Sequence, residues 1–503
     1  LFGDGSYDPK NRIPGNNNYI PTFQSQESLA GTASYVTDDY YGIMADQSGQ
    51  SANGRIDIGI GRFPVSTVEE AQAMINKILH YDVKEYPVRS AWRNNIAFVA
   101  DDENQNLHLH QAEELCKIVA DKYPVFNLNK IYLDAYQIEP IPGGYRFPDA
   151  TAAINRAVEK GSLIINYTGH GGETGWSYEQ ALNTSDIQAW NNFDRLPVFI
   201  TATCEFSRFD NPERFTAGEM VILHENGGAI ALYSTTRLAF AGQNIKLDTS
   251  FFRHLMDRDD NGAYVKMGDL IRISKNNNLN SESLRNFVLL GDPAQNIAFP
   301  EMKVVTKEIN HILPDQADTV KGMSTVEIKG RIEDESGNTL TSFDGSLNCR
   351  IFDKQVTYRT LANRQGETYP EDFKMQNSLI FNGDVSVTHG EFIVKGIIPR
   401  AISLPVGSGK ISYYAWNDVL DATGYSDKIM IGGMENITPV NTGPDINLFL
   451  DDRSFISGSR TTSAPLLLAD LYDENGINAI GLGIGHEITM TIDNDRVHST
   501  LLN

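Results

Sequence analysis

The stretch GSLIINYTGHGGETGW, residues 161–176, decides how the rest of the chain is read. Its first half is a short apolar run of strand length, the pattern of a strand buried on both faces. Its second half breaks into glycines around a single histidine, His170. The next apolar run, PVFITATCEFSRF at residues 197–209, breaks off in the same way at Cys204. Upstream, NIAFVA (95–100) is followed by Asp101 and Asp102; downstream, AIALYS (229–234) is followed by Thr235, Thr236 and Arg237. In a parallel α/β sheet, ligands bind where the carboxyl ends of the strands gather. A carboxylate, an imidazole and a thiol therefore leave one edge of one sheet.

Working outward, apolar runs at 56–60, 95–100, 163–167, 198–202 and 229–233 alternate with amphipathic stretches at 68–81, 107–122, 148–160, 217–225 and 247–256. Pro148 suits a first helical turn, where its missing N–H costs nothing. Alternation of this kind predicts a mainly parallel sheet covered by helices on both faces. Past Pro300 the helical period gives way to alternating segments such as STVEIKGRIED and EFIVKGIIP, which predict β-sandwich domains of immunoglobulin-like size. The expected division is an N-terminal α/β subdomain at 1–90, a catalytic α/β subdomain at 91–300, a β-sandwich at 301–440 and the start of another β-domain at 441–503. TPVNTGPD (438–445) reads as the linker between the last two. The chain opens on LFGDGSYD and stops in TIDNDRVHSTLLN, both strand-like, so we expect a piece of a longer protein.

Bulk properties narrow the function. A chain of 503 residues exceeds a single core, and a net charge of −23 excludes nucleic acid, whose binding rests on Lys and Arg. No apolar stretch approaches the ~20 residues that cross a bilayer, and no basic-then-apolar leader precedes the first residues. Three cysteines form no disulfide framework.

A thiolate attacks and a nearby histidine takes the proton and later returns it to the leaving amine, chemistry that requires no cofactor. Glycines around His170 allow close backbone approach, and the amides of Gly171 and Cys204 are placed to receive an oxyanion. A lone cysteine ending a strand is more commonly inert packing; the glycine-flanked histidine favours the nucleophile. Cys116 falls on the apolar stripe of its helix and Cys349 alternates with Leu347 and Ile351, so both read as core. Asp101 and Asp102 either orient His170 or cap the helix near Asn106. Glu173, Trp176 and Thr235 are candidates for substrate contact, with local packing an equal reading for Trp176. DRDDNG (257–262) matches half a calcium loop but has Gly268 at the closing position, and a solvated turn fits better. His108 and His110 are spaced to face apart on a helix, which speaks against metal binding. TDDYYG (37–42) has no evident mechanism.

NYTGHGGETGW resembles the segment around the catalytic histidine of gingipain-type cysteine peptidases, and PVFITATCEFSRF resembles their strand ending in the catalytic cysteine. GIGRFPVSTVEEAQAMINKI, NGGAIALYSTTR and LRNFVLLGDPAQNI extend the resemblance over most of residues 1–300. It implies a caspase-like α/β fold, with His170 as base, Cys204 as nucleophile, and structural calcium at sites the sequence does not locate. TCEFSRFDNPERFTAGEM and the tail from GPDINLFLDDRSFISG to GINAIGLGIGHEITM are similar to the type IX secretion sortase branch of that family. This branch implies an enzyme on the outer-membrane surface that removes C-terminal sorting domains from exported cargo. It also implies transfer to a lipopolysaccharide amine and a partner that anchors the enzyme. The rivals are a secreted gingipain-like protease of broader specificity and an inactive surface scaffold.

Overall fold

The computed structural model describes residues 1–30, 34–45, 52–279, 282–436, 443–463, 465–473, 489–491 and 500–501. The linker expected at 438–445 and the tail segment GINAIGLGIGHEITM fall largely outside them. The described chain forms two compact units, residues 1–300 with Thr357–Met375, and residues 301–356 with 376–503. The break at Pro300 coincides with the change in sequence pattern. Thr357–Met375, expected within the second domain, belongs by its contacts to the first unit.

The first unit is built on a six-stranded sheet: β1 (Asn95–Ala100), β2 (Asn127–Tyr132), β3 (Ile164–Thr168), β4 (Val198–Ala202), β5 (Ala231–Thr235) and β6 (Phe287–Gly291), in the order β6-β5-β4-β3-β1-β2. All neighbours run parallel except β5 and β6. Alternate residues supply the two faces. Ala97, Val99, Ile165, Tyr167 and Phe199 pack with Met74 of α1 (Val68–Tyr81), Ile154 and Val158 of α3 (Pro148–Glu159), Ile187 of α4 (Thr184–Ala189), and Val221 of α5 (Ala217–Leu223). Ile96, Phe98, Ile164, Ile200 and Tyr233 pack with Leu115 and Val119 of α2 (Leu107–Lys122), Phe251 of α6 (Ala241–Arg253), and Leu270 of α7 (Met267–Asn276). Thr67 with Glu70 starts α1, and Thr216 with Glu219 starts α5, each by reciprocal capping.

Four elements differ from expectation. Residues 56–60 form no strand: a Cβ at Gly59 would lie 2.5 Å from the backbone of Gly268, which packs where a ladder partner would be. Edge strand β2, NLNKIY, is too polar to announce itself, and β6 adds an antiparallel edge to a sheet expected to be mainly parallel. The helix expected at 247–256 starts earlier, at Ala241.

TDDYYG gains a structural reason. Asp38 accepts two bonds from the buried guanidinium of Arg62, at 2.6 and 2.8 Å, and Asp39 pairs with Lys275 at 2.7 Å and Arg285 at 3.0 Å.

In the second unit, β7 (Met302–Ile309), β8 (Thr325–Glu333), β9 (Gly345–Phe352), β10 (Leu379–Val387), β11 (Glu391–Ile397), β12 (Lys410–Trp416) and β13 (Asp421–Ser426) form a sheet in the order β10-β9-β12-β13-β7-β8-β11. Its core includes Cys349, in phase with Leu347 and Ile351. The architecture is thus a mixed parallel and antiparallel α/β core followed by a β-rich unit. No helix among the described residues is long and apolar enough to cross a membrane.

One buried carboxylate makes stability pH-dependent. Asp248 on α6 is fully buried, accepts one bond from Asn166 at 3.2 Å, and is pushed up to about 7 by burial. A carboxyl raised in the folded state holds its proton there after the unfolded chain has released it, so its contribution falls as pH rises from about 4 to about 7. Asp4, raised to about 7, acts in the same sense. Asp248→Asn is therefore expected to raise Tm at pH 8, by up to about 4 kcal/mol of stability, and to raise it by less than half as much at pH 5. Thermal melts at the two pH values check this; an equal shift at both would refute it.

Candidate active site

Strands β1, β3 and β4 end level: Thr168 is in register with Ala100 on one side and Ala202 on the other. The Asp101 amide bonds the Thr168 carbonyl at 3.0 Å, and the Gly169 amide bonds the Ala202 carbonyl at 3.3 Å. His170 and Cys204 each stand two residues beyond this level. Adjacent strands lie about 4.8 Å apart, so the two loops leave the sheet side by side.

Cys204 sits in a turn built to present it. Glu205 has φ 54°, in the left-handed region, so the chain bends sharply after the cysteine. The Thr235 hydroxyl donates to the Thr203 carbonyl, the Ser207 amide bonds the Thr235 carbonyl at 2.9 Å, and Asp210 clamps Arg237 through two bonds at 2.8 and 2.7 Å. Cys204 itself is partly exposed, and its Sγ lies 3.6 Å from the Ala239 carbonyl. Burial pushes its thiol up, so attack calls for a base. Cys116 and Cys349 are buried, and burial pushes Cys116 up to about 12.

The His170 backbone is pinned from both sides. Its amide donates to Asp101 Oδ2 at 2.7 Å, and its carbonyl accepts from the Tyr167 hydroxyl at 2.6 Å and the Ser177 amide at 2.8 Å. Nε2 of the ring is 2.9 Å from Asn104 Nδ2 and 3.5 Å from Glu103 Oε2. His108 and Tyr178 pack their rings against it, each at 5.4 Å. His108 is buried, and burial followed by the neighbouring His170 lowers it to about 4. His110 faces the other way, toward Glu371 at 3.1 Å, as the spacing of the pair required.

The acidic candidates take different places from those expected. Asp101 holds the His170 amide rather than its ring, and caps no helix, because Asn106 occupies the N-cap of α2. Asp102 pairs with Arg364 at 3.0 Å. The carboxylate beside the imidazole is Glu103, which sequence reasoning missed. It is the third acid of the run after β1, and the left-handed backbone of Asn104, Gln105 and Asn106 follows it.

Gly171 needs to be glycine: a Cβ there would meet Thr203 Oγ1 at 2.5 Å, so this backbone runs against the strand end that carries Cys204. The residues expected to touch substrate do not all reach a surface. Trp176 is fully buried, stacked on Tyr167 at 4.4 Å, and Thr235 is buried beneath the Cys204 turn, so both support the loops. Glu173 joins the two loops through Arg208 at 2.9 Å and Arg214 at 3.2 Å.

Two groups of side chains bring metal-ligating atoms together, Asp101 with His108 and His170, and Asp101 with Asp102 and Glu179. In the second, Arg364 already engages Asp102 and Glu179. DRDDNG is a self-satisfied turn in which Asp259 accepts from Asn261 and Ala263.

A thiol and an imidazole leave the carboxyl edge of an α/β sheet on neighbouring loops, with glycine backbone beside them, which is the arrangement that cysteine peptidase chemistry requires. Residues 1–298 match the model of peptidase family C25, and the chain belongs to that family of gingipain-like cysteine peptidases. Lys-gingipain of Porphyromonas gingivalis is 25% identical over 183 residues, which are 36% of this chain and 10% of that protein. The chain thus spans about a tenth of the curated relatives it matches. Among solved structures, the Arg-specific gingipain R (RgpB) is similar at 15% identity and TM-score 0.46, covering 86% of this chain and 83% of that one. Dimeric latent PorU from Porphyromonas gingivalis is similar at 24% identity and TM-score 0.37, covering all of this chain and 43% of that one.

Proposed function

We propose that the chain is the catalytic part of a cysteine endopeptidase that removes the C-terminal sorting domain from proteins exported by type IX secretion. The observation that carries the peptidase chemistry is the level ending of β3 and β4, which sets His170 and Cys204 at equal offsets past paired residues. His170 takes the proton from Cys204 Sγ as sulfur attacks the scissile carbonyl. The oxyanion forms against the amides of Gly171 and Cys204, the C–N bond breaks, and the imidazolium returns the proton to the leaving amine. The thioester left on Cys204 is then attacked by an amine of a surface lipopolysaccharide, whose proton passes to His170 while the sulfur is released.

The choice of cargo and acceptor rests on the similarity of TCEFSRFDNPERFTAGEM (203–220) to the sortase branch. The same reading places the enzyme at the outer-membrane surface, held by an anchoring partner, with the β-rich unit as an immunoglobulin-like sandwich. Structural calcium belongs to it too, although Arg364 stands in the carboxylate set best suited to an ion.

The test is dependence on the cargo's terminal domain. Cargo carrying it is expected to be cleaved at least about tenfold more efficiently than unrelated peptides with the same scissile residues, because remote binding energy is realised in the transition state. Equal rates would replace this reading with that of a broad gingipain-like protease.

A further inference from the structure

Four carboxylates gather behind the catalytic edge: Asp101, Asp102 and Glu103 after β1, and Glu179 in the loop after His170. Asp101, Asp102 and Glu179 are at most 3% exposed, and the outer oxygens of Asp102 and Glu179 have no partner among the described residues. So many buried acids repel one another unless one keeps its proton or a cation stands among them. That cation is Arg364, carried by Thr357–Met375, a segment that lies in sequence between two stretches of the second unit yet packs with the first. Its Nε is 3.0 Å from Asp102 Oδ2, its Nη2 pairs with Glu179, and its Nη1 is 3.6 Å from Glu103 Oε1. The other oxygen of Glu103 is the one 3.5 Å from His170 Nε2. The Glu103 carboxylate thus stands between the guanidinium and the base.

The rest of the segment is fixed to the same loop. The Gln105 amide bonds the Glu367 carbonyl at 3.0 Å, and Asn106 exchanges bonds with the Tyr369 backbone at 2.6 and 3.1 Å. Asp134 receives the amides of Ala362 and Asn363 at 3.0 and 2.8 Å, and Phe373 packs on Tyr132 and Leu109. These contacts hold the left-handed run 104–106, from which Asn104 reaches His170 Nε2.

We infer that Arg364 is a positioning residue for the catalytic base: it holds Glu103 and the loop after β1 against His170 and sets the charge that His170 meets. The inference rests on the peptidase reading above. The titratable groups packed around His170 are Asp101 and Glu103 from the loop after β1, His108 from α2, and Tyr178 from the glycine loop. Arg364 is the cation that reaches this set, through Glu103.

The test is the pH dependence of kcat/KM for cargo cleavage by the whole chain. In Arg364→Ala, Glu103 acts on His170 unopposed, so the acid limb moves to higher pH by roughly one unit. At the optimum kcat falls about tenfold or more with KM little changed, since the loss lies in placing the base. Arg364→Lys keeps the charge without the fork, so the limb stays in place while kcat falls part of the way. Glu103→Gln, alone or added to Arg364→Ala, moves the limb back toward lower pH, and alone it keeps the inference testable should Arg364→Ala fail to fold. A merely structural arginine would lower Tm and the active fraction but leave the limb where it is. That outcome, in a wild-type protein whose cleavage depends on Cys204, overturns the inference. Cleavage that persists in Cys204→Ala instead overturns the peptidase reading on which it rests.

Discussion

Cys204→Ala is expected to fold as the wild type does and to lose cleavage, with kcat/KM down on the order of 10⁴-fold or more. The size of the effect follows from covalent chemistry. With no sulfur there is no thioester, and the oxyanion donors and binding contacts that survive recover only a small part of the rate. The fold is spared because Sγ makes one long contact, 3.6 Å to the Ala239 carbonyl, and the turn is held by other groups: Thr235 on Thr203, Arg237 on Asp210, and Glu173 on Arg208. His170→Ala should cost a comparable factor, because burial pushes the Cys204 thiol up and leaves little thiolate without a base. Steady-state kinetics paired with thermal melts check both. A Cys204→Ala protein that cleaves at a tenth of the wild-type rate would exclude this nucleophile.

The second large effect is on stability, far from the chemistry. Arg62 is fully buried, and its guanidinium donates to both oxygens of Asp38 and to the carbonyls of Gly3 and Ile20. Arg62→Ala leaves Asp38 buried without its cation and two carbonyls without donors. Breaking such a pair from one side costs about 3–5 kcal/mol, because the remaining charge has neither water nor a partner. In a unit of this size that corresponds to a Tm lower by roughly 4–8 °C. Arg62→Lys should recover little, since a point charge cannot bond both carboxylate oxygens and the two carbonyls together. Urea titrations of the three proteins would reveal the loss; a change below about 1 kcal/mol in Arg62→Ala would show the pair to be dispensable.

The contrast between these two sites shows what a sequence makes visible. His170 and Cys204 are legible because each follows an apolar run at once, and the edge of a parallel sheet turns that order into proximity. β1, β3, β4 and β5 are legible for the same reason, being short runs rich in apolar residues and buried along nearly their whole length. β2 is an edge strand with polar residues on its open side, and nothing in NLNKIY separates it from a loop. Residues 56–60 mislead in the opposite direction, since an apolar IDIGI can lie extended against α7 without a ladder partner. Trp176 shows the limit of motif reading: a tryptophan beside a glycine loop looks like a wall for substrate, and only the stack on Tyr167 reveals that it faces inward. Glu103 and Arg364 were beyond reach, because their roles depend on the 260 intervening residues folding back, and no local pattern encodes that return.

The measurement that tests the central claim most directly is the intact mass of an exported cargo after incubation with the wild-type or Cys204→Ala chain in the presence of an amine acceptor. The thioester mechanism predicts a shortened cargo heavier than the free acid by the acceptor less water, formed by the wild type and absent with Cys204→Ala. Cargo shortened equally by both proteins would contradict it.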